Sequence, residues 1–350
     1  MEHQNPTKTQ CLNSDIISTL PQNIIENNIL SRMTLRDAVR TSILSKEWRY
    51  TWRSMPKLVF TRKMVKRPSN RCCTLLHKYK LVNAIFNVLL LHNGPTILEF
   101  ESLFGKFCID SEFAQIISYL AKGNKVKELS FDNVEVSAQM FRQFLSKCSL
   151  LEDIVLIACE KTQKGVDFVA GENKFTFVDL LQCVPLIVLL QISKYYMKYL
   201  SAGGMPRKLP TSLAHLEYLY LDLCMAEKDE ISSALCMIMS SPLLKKIHFV
   251  MYDNEDPPVQ QTPTDFLDPE DYPDMNLDYL EILMIDDFSN LPLEMEFVKL
   301  IMAKSPALEE VQIKLRCTVS VNEELKMVKD MLLLPFPRAS PYAKLIIDRP

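Results

Sequence analysis

The chain has 350 residues, a net charge of −3 and 48% apolar residues. That composition provides for a large buried core and excludes both global disorder and a general affinity for nucleic acid or membrane surface. Glycine is scarce, at seven residues with only Gly203 and Gly204 adjacent, and no GxGxxG or GxxxxGK[ST] loop exists, so the usual phosphate-cradling folds are excluded as well.

Residues 1–13 read as a polar tail without the apolar segment of a secretory signal. No later run approaches the roughly 18–20 apolar residues of a membrane span. The ten cysteines form no CxxC pair and no regular framework, which predicts reduced thiols and an intracellular setting, cytoplasmic or nuclear. From residue 15 to about residue 52 the pattern is helical. Ile24, Ile25, Ile29 and Leu30 fall at helical spacing, as do Leu35, Ala38, Val39, Ser42 and Ile43. Pro21 suits a first helical position. Trp48 and Trp52 stand four apart on one face. A module of about 40 residues buries little core alone and is expected to need a partner. Residues 1–71 carry 13 Lys/Arg against 5 Asp/Glu, so the rest of the chain is acidic. Residues 61–74 form a basic linker, open to reading as a nuclear import signal or as a plain connection.

From Leu75 onward a repeat decides the fold. A six-residue frame with apolar first, fourth and sixth positions recurs as Val126/Leu129/Phe131, Leu151/Ile154/Leu156, Ile187/Leu190/Ile192 and Leu216/Leu219/Leu221. It continues as Leu244/Ile247/Phe249, Leu280/Leu283/Ile285 and Leu308/Val311/Ile313, with a weaker copy from Ile97. Ser149, Pro185, Pro242 and Pro306 stand two residues before the frame, each after an apolar helical face such as Ile231, Ala234, Leu235 and Ile238. Each unit therefore reads helix, break, strand. The predicted fold is α/β: a small helical module, then a solenoid with its parallel sheet on the concave face. Side chains alternate along strands, so Tyr218, Tyr220, His248, Ile282 and Met284 should face the concavity. They are the candidate target-binding residues, since aromatic and Met side chains are common interface anchors. Residues 253–278 hold nine acids, five prolines and no Lys or Arg; they read as a mobile acidic loop without a role in the core. The five histidines form no metal-binding spacing and no cysteine sits in a nucleophile motif. No cofactor, metal or catalytic residue is expected, and the chain reads as a binding protein.

Residues 15–60 resemble the F-box of plant F-box/leucine-rich-repeat proteins. The likeness rests on Leu20-Pro21, Ile24-Ile25, Ile29-Leu30, the run from Asp37 to Ser42, Leu44-Ser45 and Trp48-Arg49-Tyr50. Met33-Thr34 departs from the Leu-Pro of many relatives, and Thr34 can still cap a helix. Residues 279–285, 297–311 and 335–347 resemble the FBD region that accompanies such F-boxes. The resemblance divides the chain into a tail (1–13), an F-box (14–60), a basic linker (61–74), a repeat array (75–278) and an FBD region completing the array (279–350). It implies a substrate-recognition subunit of a cullin–RING ubiquitin ligase. Leu20, Pro21, Ile24, Ile29, Leu30, Val39, Leu44 and Trp48 would then dock on a Skp-type adaptor, and the repeats would hold a target protein. A small-molecule-sensing repeat receptor, or a scaffold outside ubiquitination, are the other readings.

Overall fold

The computed structural model describes residues 20–46, 48–60, 74–94, 97, 99–103, 115–116, 119–120, 126–132, 138–157, 175–253, 267–333 and 338–349. It opens on short helical turns. α1 (Gln22–Ile24) runs directly into turns over Ile25–Ile29 and Leu30–Arg32. Pro21 stands at the cap, one residue before the first helical position, and its carbonyl accepts the amides of Ile24 and Ile25. α2 (Leu35–Arg40) is opened by Thr34, whose hydroxyl accepts the Asp37 amide and donates to the Asp37 carboxylate. One orphan donor of the helix start is thereby satisfied.

Among the described residues, ten strands follow in one sheet, arranged in chain order with every neighbouring pair parallel. They are β1 (Lys57–Phe60), β2 (Glu99–Leu103), β3 (Glu128–Asp132), β4 (Asp153–Ile157), β5 (Leu189–Ile192), β6 (Tyr218–Leu223), β7 (Lys246–Met251), β8 (Ile282–Phe288), β9 (Glu310–Leu315) and β10 (Lys344–Asp348). Crossover helices join them: α3 (Thr74–Leu91), α4 (Ala138–Leu145), α5 (Phe177–Cys183), α6 (Lys194–Ser201), α7 (Lys228–Met239), α8 (Pro292–Ala303) and α9 (Val321–Leu333). Inward residues of β4 to β9 are at most 2% exposed, whereas their alternating neighbours are not buried. The buried side chains form one continuous core from Ile25 in the first turns to Met331 in α9.

The breaks between helix and strand have a shared chemistry. Ser241 and Ser305, each followed by proline, are buried and donate their hydroxyls to Met237 and Ile301 carbonyls at 2.6 Å. The serine satisfies a carbonyl of the last helical turn while the proline ends the helix. At the other end, α5, α7, α8 and α9 each place an acid at the third helical residue: Asp179, Glu230, Glu294 and Glu323. These carboxylates accept amides of the preceding turn. Glu230 and Glu294 are only 2% exposed, and burial pushes both up to about 7. Glu230 also accepts the Tyr252 hydroxyl at 2.5 Å.

Two expectations are corrected here. Residues 57–60 belong to the sheet: Met55, Leu58 and Phe60 occupy the first, fourth and sixth frame positions and are at most 1% exposed. The helical module thus ends as the first strand of the array. The basic linker, 61–74, lies outside the described residues up to Thr74, where α3 begins. The acidic segment is also more than a solvated loop. Residues 254–266 lie outside the described residues, but Leu267, Tyr272, Met275 and Leu277 are buried. Among the described residues, a turn over Pro269–Asp271 lies between β7 and β8. Arg207 stacks over the Tyr272 ring and donates to the Asp271 carbonyl, and Asp253 forms an ion pair with Arg316. The overall charge of the segment hides four apolar side chains at the positions that fill this place.

Candidate functional site

Two surfaces stand out. The first is the outer face of the helical module. Leu35 and Ala38 point into its core, while Val39 is 37% and Ile43 88% exposed. Residues four apart on a helical path share a face, so these two lie side by side. Leu44 is 70%, Tyr50 55% and Ile24 37% exposed. Among the adaptor candidates, Pro21, Ile24, Val39 and Leu44 are exposed, and Leu20 and Ile29 are partly buried against the core. Leu30 and Trp48 are corrected: at 0% and 4% exposure they face inward and support this surface from beneath. They are the side chains around which such short helices can close a core. Ile43 was absent from the candidates, and its signal was present in the sequence as the residue one helical turn beyond Val39.

The module is fixed to the array. Arg53's carbonyl accepts the Asn93 and Gly94 amides at 3.0 and 3.3 Å, and the His92 ring lies 2.9 Å from the Met55 carbonyl. Gly94 sits at a close approach: a Cβ there would stand 3.0 Å from the Ser54 carbonyl, so a larger residue would need its neighbours to give way. Burial lowers the His92 pKa.

The second surface is the concave sheet face. Register places Tyr218, Lys246 and Ile282 in one lateral row and Tyr220, His248 and Met284 in the next. All six are partly buried. Tyr220 meets the His248 ring edge-on at 5.7 Å, Lys246 lies 5.7 Å from the Tyr220 ring centre, and His248 is 3.1 Å from the Asp286 carboxylate. Between Ile285 and Phe288 the β8–β9 register shifts, and Asp287 takes a φ of 57°. Such bulges re-aim side chains, and aspartate is among the few residues that tolerate this backbone region. The five target candidates thus lie together in this patch. Lys246 also lies in this patch, and so do two acids that the alternation did not single out, Asp286 and Asp222, the latter accepting the Lys194 amide at 2.7 Å. Burial raises the Asp222 pKa.

Further along the Tyr218 row the charge turns negative. Glu99, Glu128 and Asp153 occupy successive strands, with Lys57 paired to Glu99. Burial and then its acidic neighbours Glu99 and Asp153 raise the Glu128 pKa; burial and Glu152 raise that of Asp153. Like charges directly opposite across strands destabilise a sheet. Among the described residues no group of three or more His, Cys, Asp or Glu has the arrangement of a metal site.

Comparison with known proteins bears on both surfaces. Residues 17–60 match the F-box domain model. An F-box/FBD/LRR-repeat protein of Arabidopsis thaliana is 29% identical across 95% of this chain and 98% of its own length. An F-box/LRR-repeat protein of the same plant is 27% identical over 41% of this chain and 39% of that protein. An FBD-associated F-box protein is 24% identical over 67% of this chain and 58% of its own.

Proposed function

We propose, for a chain that belongs to the plant F-box/FBD/leucine-rich-repeat family, that it is the substrate-recognition subunit of a cullin–RING ubiquitin ligase. The F-box docks on a Skp-type adaptor through the face carrying Val39, Ile43 and Leu44. The concave patch around Tyr218, Tyr220, His248, Ile282 and Met284 holds the target. Its chemistry suits a segment that places apolar side chains over β6–β8 and basic ones toward Glu128 and Asp153. The receptor contributes proximity, raising the effective concentration of a target lysine near the activated ubiquitin, and the chemistry is performed by other subunits.

The observation that carries this reading is the module's outer face. Its side chains are apolar and exposed although the core beneath them is complete. A small domain does not leave such residues in water without a partner. Co-purification with a Skp-type adaptor tests it. Ile43→Asp and Leu44→Asp should abolish recovery of the adaptor while the melting transition stays in place. Undiminished recovery overturns the docking assignment.

A further inference from the structure

The two ends of the sheet are finished differently. At β1 the helical module covers the sheet, and Leu58 and Phe60 are sealed at 0% and 1% exposure. At β10 the inward residues Leu345 and Ile347 stay partly exposed, as does Ile346 on the concave side. Among the described residues β10 has β9 as its sole strand neighbour. Solenoids need a cap with a polar outer face, and an apolar strand edge is a template for pairing. Val321 and Leu325, one turn apart on α9, are 66% and 53% exposed and add apolar surface to the same terminal repeat.

We propose that the occupant of this edge is a second copy of the chain, paired β10 to β10 in antiparallel fashion about a two-fold axis through Ile346. The register follows from the strand itself. Lys344 donates its amide to Glu309 at 2.8 Å. Strand period two then turns the amides and carbonyls of Leu345 and Ile347 toward the edge away from β9. Centring the axis on Ile346 makes Leu345 and the other copy's Ile347 a hydrogen-bonded pair, so all four outward groups are satisfied. The same centring sets Lys344 opposite the other copy's Asp348, at a non-hydrogen-bonded site where side chains come closest. Within one chain Lys344 already lies beside Glu310, and Asp348 beside Lys314. The concave row crossing the seam would therefore read Glu310, Lys344, Asp348, Lys314, with charge alternating throughout. Sliding the register by two residues in either direction loses this match. The interface is isologous, as two-fold contacts require. It yields a two-headed receptor whose docking modules stand at opposite ends of a twenty-stranded sheet.

Sedimentation of the full chain from low-micromolar to sub-millimolar concentration tests the proposal. The native chain should pass from monomer to dimer, more weakly at high salt. Lys344→Asp alone, or Asp348→Lys alone, places like charges opposite each other and should weaken self-association at least about tenfold. An equimolar mixture of these two variants should restore a dimer, because each then offers the other its complement. Ile346→Cys provides a second test independent of charge: the new thiols lie opposite each other on the axis, so mild oxidation should give a disulfide between residues 346 of two chains by peptide mapping. A native chain that stays monomeric throughout, a dimer indifferent to both charge reversals, or cross-linking that bypasses residue 346 each overturns the proposal.

Discussion

The helical module and the repeat array use the same kinds of residue to opposite ends. In β4 to β9, leucine and isoleucine at frame positions are sealed, because each of these strands has a neighbour on either side and helices behind. In the module, helices of a few residues close around Leu30, Leu35, Ala38 and Trp48, and Val39, Ile43 and Leu44 remain outside. An apolar residue in a stack is buried by the next repeat, whereas one on the module's outer face has, among the described residues, no repeat stacked over it. The difference lies in what stands beside a residue, not in its hydrophobicity.

The comparison is broken most forcefully in the core. Leu219→Ala and Leu283→Ala should each destabilise the array by about 2–5 kcal/mol in denaturant unfolding, since both side chains are fully buried. Leu30→Ala should fall in the same range, which separates it from its exposed companions. A loss under about 0.5 kcal/mol at Leu30 would return it to the docking surface.

Proton linkage sharpens the contrast next. Glu230 and Glu294 lie in the array, and burial raises both from an ordinary 4.5 to about 7. The folded chain therefore holds protons that the unfolded chain has released. The stability this confers is full below about pH 4.5 and is lost as pH rises through about 7, on the order of 1–3 kcal/mol for each group. Glu230→Gln with Glu294→Gln should flatten the stability profile across that window. An unchanged slope would refute the assignment.

At the docking face the expected effect moves from stability to binding. Ile43→Ala and Leu44→Ala should change unfolding free energy by no more than about 0.5 kcal/mol. Each should cost about 1–3 kcal/mol of adaptor affinity by calorimetry. The smallest structural effect is expected on the concave face. Tyr218→Ala with Tyr220→Ala should leave the melting transition nearly in place while target capture is lost. A collapse of the transition would place these rings in the core.

Much of the fold was legible because stacking imposes a period. Seven strong copies of the frame and a weaker one at Ile97 mark β2 to β9. The two end strands were harder. Met55/Leu58/Phe60 fits the frame but adjoins the helical pattern, and Tyr342/Leu345/Ile347 fits it at the far end. The Ser-Pro pairs and the acids at the third helical residue also repeat in phase, but their meaning rests on hydrogen bonds that periodicity does not reveal. The concave residues could be read from alternation alone. Their joining into a patch with Lys246 and Asp286 depends on lateral register, which a single strand does not encode. In the acidic segment, averaged charge concealed the spacing of Leu267, Tyr272, Met275 and Leu277.

The strand that ends the helical module makes the molecule a ruler. Because β1 is both the tail of the helical module and the first rung of the sheet, the patch on β6–β8 lies five to seven rungs away, or roughly 24–34 Å at about 4.8 Å per rung. Gaining or losing one repeat between them would shift the patch relative to the helical module by one rung and turn it by one increment of sheet twist. On the proposed function, a change in repeat number in such a lineage is also a change in which part of a target is presented, and geometry can diverge in discrete steps while every residue of the patch is retained.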